Sequence, residues 1–248
     1  MGSSDCLLTE TKSGHGQRTR YFSRQLITAD DLTQDQIYHR EERRLHNRML
    51  HGWGIVCGLE VKVNPASGAP LKVTICPGYA LSPQGDEIYV PTEIQFDLEQ
   101  CIKSQSAPCS SPCSPAVLGA ADLAKDFYLA IKYSECLSHP VRVSPVGCGC
   151  DDTACEYSRI RDGYEVTCLG KLPDSHDEIN QVSDELCRVV TNTKVIACPQ
   201  CPKDPWIVLA QVYREGKVLT PPSPDCRRVL LSTAVMQEHL RAKCVDEQ

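Results

Sequence analysis

Leu59-Glu60-Val61-Lys62-Val63 and Leu71-Lys72-Val73-Thr74-Ile75, separated by a Pro/Ser/Gly turn at 64–70, alternate apolar and polar residues with a period of two. Successive side chains of a strand point to opposite faces, so the pattern predicts a hairpin-like pair with one buried and one solvated face. Pro77-Gly78 and Pro83-Gln84-Gly85-Asp86 punctuate the next stretch, and short strands are expected at Ile88 to Val90 and Ile94 to Leu98. Residues 54–100 therefore read as a β meander. Phe127 to Tyr133, Val141 to Val143 and Trp206 to Tyr213 are three further strand candidates that complete the same sheet or build a sandwich or small barrel.

On the N-terminal side the period changes. Residues 1–20 are polar and rich in Gly and Ser, the composition of an arm. Thr28 is a candidate N-cap with Asp31 three residues later, and neither Gly nor Pro occurs until Gly52, which predicts a helix over 29–50. Its apolar residues Tyr38, Leu45 and Met49 form a narrow stripe among Arg40, Glu41, Glu42, Arg43, Arg44 and Arg48. Such a stripe suits a helix lying on a partner or seam, and equally a solvated helix laid across its own sheet. In the first case the interface residues are Tyr38, Arg40, Glu41, Arg44, Leu45, Arg48, Met49 and Trp53.

The 248 residues are ample for a hydrophobic core without staples, yet 16 of them are cysteine. Eleven of these fall between 101 and 201, in a Cys/Pro/Ser-rich loop at 101–126, at Cys136, and in a Cys-rich insertion at 145–203. Inside the insertion, Ser175 to Glu178 forms a capping box ahead of Ile179, Val182, Leu186 and Val189 at helical spacing. A last helix over 232–244 aligns Met236, Leu240 and Cys244. The chain thus divides into an arm and helix (1–53), a first β half (54–100), the loop (101–126), central strands (127–144), the insertion (145–203), and last strands with a C-terminal helix (204–248). The fold class is mainly β, with a long N-terminal helix, a helix in the insertion and a C-terminal helix.

Cys198-Pro199-Gln200-Cys201 places two thiolates in one tight turn, half of a tetrahedral zinc shell. Cys148, Cys150, Cys155 and Cys168 are the candidates for the remainder, or for disulfides. Zinc, disulfides formed after release from the cell, and free buried thiols all stand open. A redox role fits less well, because Pro202 and Pro205 lead into an apolar strand instead of the helix that lowers a thiol's pKa.

Lys plus Arg number 26 against 32 Asp plus Glu, a net charge of −6 that gives no bulk attraction to nucleic acid or an anionic membrane. The apolar runs are too short to cross a bilayer. The first residues lack the basic start and apolar stretch of a secretory signal, so synthesis in the cytoplasm is expected, with release inside a larger extracellular particle as the route to an oxidising medium. His39 and His46 lie a heptad apart where a metal pair needs i, i+4, and no nucleophile elbow, Ser–His–Asp signature or phosphate loop occurs. Catalysis is not expected.

Arg20-Tyr21-Phe22-Ser23-Arg24-Gln25-Leu26-Ile27-Thr28-Ala29-Asp30-Asp31-Leu32, Tyr38-His39-Arg40-Glu41 and Leu45-His46-Asn47-Arg48, leading into Leu50-His51-Gly52-Trp53-Gly54-Ile55-Val56-Cys57-Gly58-Leu59-Glu60-Val61, resemble a bacterial family associated with phage-tail-like contractile injection systems. Pro77-Gly78-Tyr79-Ala80 through Gly85-Asp86-Glu87-Ile88 resembles a short β element of phage baseplate and tail-fibre proteins, and Phe127 to Ala130 with Ile207 to Val212 resembles the strand pair that often accompanies it. The resemblance covers about two thirds of the chain. It implies a structural subunit at a baseplate, fibre-attachment or collar region, whose partners are copies of itself and other particle subunits. The cysteine-dense insertions depart from the leaner family pattern. A second reading, from the C-x-x-C, is a zinc-stabilised module that binds a partner protein or a surface glycan.

Overall fold

The computed structural model describes residues 17–63, 72–98, 101, 126–142, 155–177, 198, 201–215, 218–219 and 222–231. The alternation at 61–63 and 72–75 folds as the pattern predicts, and the turn at 64–70 lies outside the described residues. Strands β2 (Val61–Val63) and β3 (Lys72–Ile75) pair antiparallel with Val61 opposite Ile75 and Val63 opposite Val73, and β6 (Ile94–Asp97) pairs along the other side of β3. Val61, Val73 and Ile75 are buried while Lys62 and Lys72 face solvent. A second sheet joins β1 (Gly54–Gly58), β4 (Gly78–Leu81) and β5 (Glu87–Val90) in the order β1-β4-β5. The chain segment around Val229 covers its open edge, with the Ile55 N–H donating to the Arg228 carbonyl and the Leu230 N–H to the Ile55 carbonyl, both at 2.8 Å.

The third sheet comprises β7 (Asp126–Arg142), β8 (Cys155–Leu169), β9 (Ile207–Glu215) and β10 (Val218–Leu219), in the order β10-β9-β7-β8. All three sheets are antiparallel and give one face to a common core that includes Ile55, Ile88, Val73, Ile75, Leu129 and Leu209. The protein is therefore mainly β with an N-terminal helix, and its sheets do not close into a barrel among the described residues.

Two features of the third sheet differ from the expectation. The strand candidate at 127–133 and residues 141–142 of the one at 141–143 are parts of one strand, β7, which runs through Pro140; Val143 lies outside the described residues. Its partner β8 lies inside the stretch read as the Cys-rich insertion, in register from Tyr128 opposite Leu169 to Arg142 opposite Cys155. Strand β9 pairs with β7 over 126–131, so beyond Ile131 the hairpin continues, among the described residues, as a two-stranded ribbon.

Helix α1 (Ala29–His46) begins at the expected cap. The Thr28 hydroxyl accepts from the Asp31 N–H, and the Asp31 carboxylate accepts from the Thr28 hydroxyl at 2.7 Å and the Thr28 N–H at 2.9 Å; the last two bonds, the hydroxyl's first, hold the Asp31 pKa below its usual value. After His46 the helix widens into a π-helical turn, Asn47–His51, closed by Gly52 at φ +77 with its N–H donating to the Asn47 carbonyl five residues back. No residue of α1 is fully buried. A helical turn at Asp174–Asp177 marks the start expected for the insertion helix; the rest of that helix and the one over 232–244 lie outside the described residues.

Cys101 and Cys168 form a disulfide with Cα atoms 6.2 Å apart, at the core end of β8. The two cysteines are 67 residues apart in the chain, and for a loop of that size chain-entropy arguments give a stabilisation of about 4 kcal/mol. Reduction, or Cys168→Ser, is accordingly expected to lower the unfolding free energy by about that amount. Urea unfolding with and without dithiothreitol measures it, and the variant should be insensitive to reductant at this bond.

Candidate assembly surface

Strands β4 and β5 are joined by a tight turn, Ser82–Asp86, in which Ser82 bonds to Gly85 and Asp86 through backbone and hydroxyl. Gly85 sits at φ +93, and a Cβ there would lie 2.3 Å from the Arg44 carbonyl oxygen. Glycine alone lets the end of α1 approach so closely. The approach is fixed by polar bonds. Arg44 grips Asp86 with Nε at 2.7 Å from Oδ1 and Nη2 at 3.0 Å from Oδ2, Asn47 donates to the Gly85 carbonyl at 2.8 Å, and Arg48 donates to the Gln84 carbonyl at 2.6 Å. Burial works against the Arg44 charge, but the bonds to Asp86 and Glu41 outweigh it and raise its pKa.

One turn earlier, Arg40 reaches the ribbon. It ion-pairs with Glu135 of β7, lies 3.8 Å from Asp86, and holds its guanidinium 5.7 Å from the centre of the Tyr133 ring. The Tyr133 hydroxyl stands between Glu135 and Asp162 of β8. Burial first, and then these two acceptors, push its pKa up, so it keeps the proton and separates two carboxylates that face each other across the strands.

Several of the residues singled out in the sequence meet at a second place. Arg48, Met49, Trp53 and Cys201 line an open groove of about 1480 Å³, together with Trp206 and Arg228. Trp53 is buried between the His176 ring, 5.0 Å away edge to face, and the Arg228 guanidinium, 4.3 Å above its own ring. The His176 Nε2 accepts from the Val208 N–H at 3.2 Å.

Of the other candidates, Glu41 pairs with Arg44, and Tyr38 and Leu45 are half-buried. Arg40 and Arg44, both interface candidates, form ion pairs within their own chain. Cys168 is in the disulfide, Cys155 is exposed on the ribbon, and Cys198 and Cys201 are exposed, with the Cys201 thiol 3.7 Å from the Pro83 carbonyl oxygen. Cys148 and Cys150 lie outside the described residues, and among those described no three metal-binding side chains converge.

Apolar side chains are left uncovered along the N-terminal segment. Phe22 is 64% exposed, Leu26 86% and Leu50 68%, with Tyr21, Ile27, Leu32 and Ile37 also exposed. These exposed apolar side chains run from ahead of α1 to its C-terminal turn, and apolar surface left in water is a mark of a surface that meets another protein. Asp86, Tyr133, Glu135 and Asp162 are members of the site that sequence reasoning misses. The signal for Asp86 is its place after Gly85 in the turn, and for Asp162 the alternation Ile160, Asp162, Tyr164, Val166 along one side of β8.

No protein-family model matches this chain, and no curated protein matches it. Among solved structures it is similar to a chain of the type VI secretion system TssK-TssF-TssG baseplate subcomplex, at 9% identity over 87% of this chain and 62% of that one, with a TM-score of 0.38. It is also similar to the crystal structure of TssK, at 13% identity over 83% of this chain and 41% of that one, with a TM-score of 0.33. The chain thus spans less than two thirds of either, and both scores lie below those of chains with a shared fold.

Truncating Asp86 leaves Arg44 and Arg40 without their common acceptor, so Asp86→Ala is expected to cost about 2–3 kcal/mol, against less than about 1 kcal/mol for Glu41→Ala at the exposed end of the same network. Gly85→Ala meets both the positive φ and the Arg44 carbonyl and should cost more than about 1 kcal/mol. Thermal and urea unfolding of the three variants gives the order directly.

Proposed function

We propose that the protein is a non-enzymatic structural subunit of a phage-tail-like contractile injection particle, at its baseplate, fibre-attachment or collar region, and that it assembles through its N-terminal segment and α1. The observation that carries this reading is the uncovered apolar surface over 21–50, on a segment whose helix is pinned to its own chain by polar bonds. Exposed Phe, Leu and Ile side chains are costly to leave in water at about 25 cal/mol per Å², and covering them by a neighbour is favourable. The sequence blocks at 20–61 and 77–88, which resemble proteins of such particles, supply the kind of assembly. Cys198 and Cys201 add no chemistry to this role.

Phe22→Asp with Leu26→Asp is expected to weaken self-association of the full chain at least about tenfold, because both side chains are largely exposed in the subunit and charge is excluded from an interface core. Unfolding should change by less than about 0.5 kcal/mol. Sedimentation velocity across a concentration series measures the first and urea unfolding the second. An unaltered association constant removes the N-terminal segment from the interface.

A further inference from the structure

Beyond Ile131 the β7–β8 ribbon has no third strand among the described residues, and every residue from Cys155 to Asp162, on either face, is exposed. A two-stranded ribbon is marginal in water by itself. Its two faces differ in chemistry. One carries Tyr133, Glu135 and Leu137 opposite Tyr164, Asp162 and Ile160; the other carries Ser134, Cys136 and Ser138 opposite Gly163, Arg161 and Arg159. Leu137 and Ile160, directly opposed across the strands, are 58% and 59% exposed.

The charges on these faces are unbalanced in opposite directions. The cleft below the first face is lined by Asp86, Glu87, Glu135 and Asp162 against Arg40, Arg43 and Arg44, one more carboxylate than guanidiniums. Asp162 is held by the neutral Tyr133 hydroxyl and by no cation within ion-pair distance among the described residues. On the second face Arg159 and Arg161 have no carboxylate within that distance among the described residues. The acidic excess and the basic excess lie at neighbouring levels of the same ribbon.

We infer that copies of this chain stack ribbon on ribbon, head to tail, with the Arg159/Arg161 face of one copy laid on the Glu135/Leu137/Ile160/Asp162 face of the next. This contact rests on the assembly reading and adds a second surface to it. Two sheets packed face to face stand about 10 Å apart, a distance that the Arg side chains span. Stacked without sliding, the aliphatic stem of Arg159 covers Leu137 and Ile160 and Arg161 reaches the exposed side of Asp162, while Glu135 keeps Arg40 of its own chain. A two-fold arrangement is disfavoured because it sets like face on like face, arginines on arginines or carboxylates on carboxylates. A head-to-tail contact is heterologous, and it closes into a ring when the rotation between neighbours allows. His139, at φ +59, and Pro140 bound the regular part of the surface.

The test uses two charge variants of the full chain. Arg159→Glu with Arg161→Glu makes the second face acidic, and Leu137→Lys with Ile160→Lys makes the first face basic. Each alone is expected to associate at least about tenfold more weakly than wild type, while their equimolar mixture recovers association, since acidic and basic faces then meet across the mixed contact. Recovery should fade with salt. Sedimentation velocity and native mass spectrometry read the result, and circular dichroism checks that each variant is folded. Wild-type assembly with no loss in either variant, or with loss but no recovery on mixing, overturns the ribbon contact and leaves the assembly reading standing. A wild type that stays monomeric, and that binds no other particle subunit, overturns the assembly reading itself.

Discussion

The two-pronged bond between Arg44 and Asp86 is the contact on which the arrangement of the other parts depends. Helix α1 has no apolar face sunk in the core, so burial cannot hold it, and a helix of its length in water needs tertiary contacts to fix its place. Those contacts are polar and come from Arg40, Arg44, Asn47 and Arg48, at intervals that put them on one side of the helix. For Arg44, Asn47 and Arg48 the acceptors are the backbone of one turn and the carboxylate that ends it. A forked guanidinium on a carboxylate fixes direction as well as distance, which an apolar contact of similar strength would not.

From Asp86 the network passes to the ribbon. Arg40 sits near both Asp86 and Glu135, and Tyr133 places a proton between Glu135 and Asp162, so helix, turn and ribbon share one set of charges. Two opposed carboxylates on an antiparallel pair repel, and here a single arginine and a phenol offset that repulsion only in part. The residual negative charge belongs to the same face as Leu137 and Ile160. The opposite face receives no such neighbours among the described residues, and its arginines project into water.

Much of the framework is legible in the sequence. Strict alternation at 59–75 decides which side chains are buried, and a capping box with no Gly or Pro for twenty residues defines α1. The ribbon is hidden by a different signal. Cysteines at 155 and 168 make the stretch between them read as a loop, although Tyr164, Val166 and Cys168 alternate with Glu165 and Thr167 as a strand should. Pro140 likewise argues against a continuous β7, and it is tolerated where no third strand among the described residues needs its missing N–H. The seating of α1 is hidden for another reason. The apolar stripe of Tyr38, Leu45 and Met49 reads as the docking side, whereas the polar stripe of Arg40, Arg44, Asn47 and Arg48 does the docking. Nothing in one helix tells which distant carboxylate will meet it.

The cysteines follow the ribbon. Cys168 bonds to Cys101 where β8 leaves the core, opposite fully buried Leu129, while Cys136 and Cys155 are exposed farther out. A projecting ribbon transmits to its tip any rotation allowed at its root, since a small angular error grows in proportion to length. A covalent bond at the base therefore does more for the tip's position than one anywhere else along it. Distal to that bond the faces carry no covalent constraint among the described residues, and their opposite charges are left to meet something outside the subunit. Rigidity at the base and complementarity at the tip are the pair of properties a repeated contact between copies requires, because each copy must present its surface at the same angle for the next to fit.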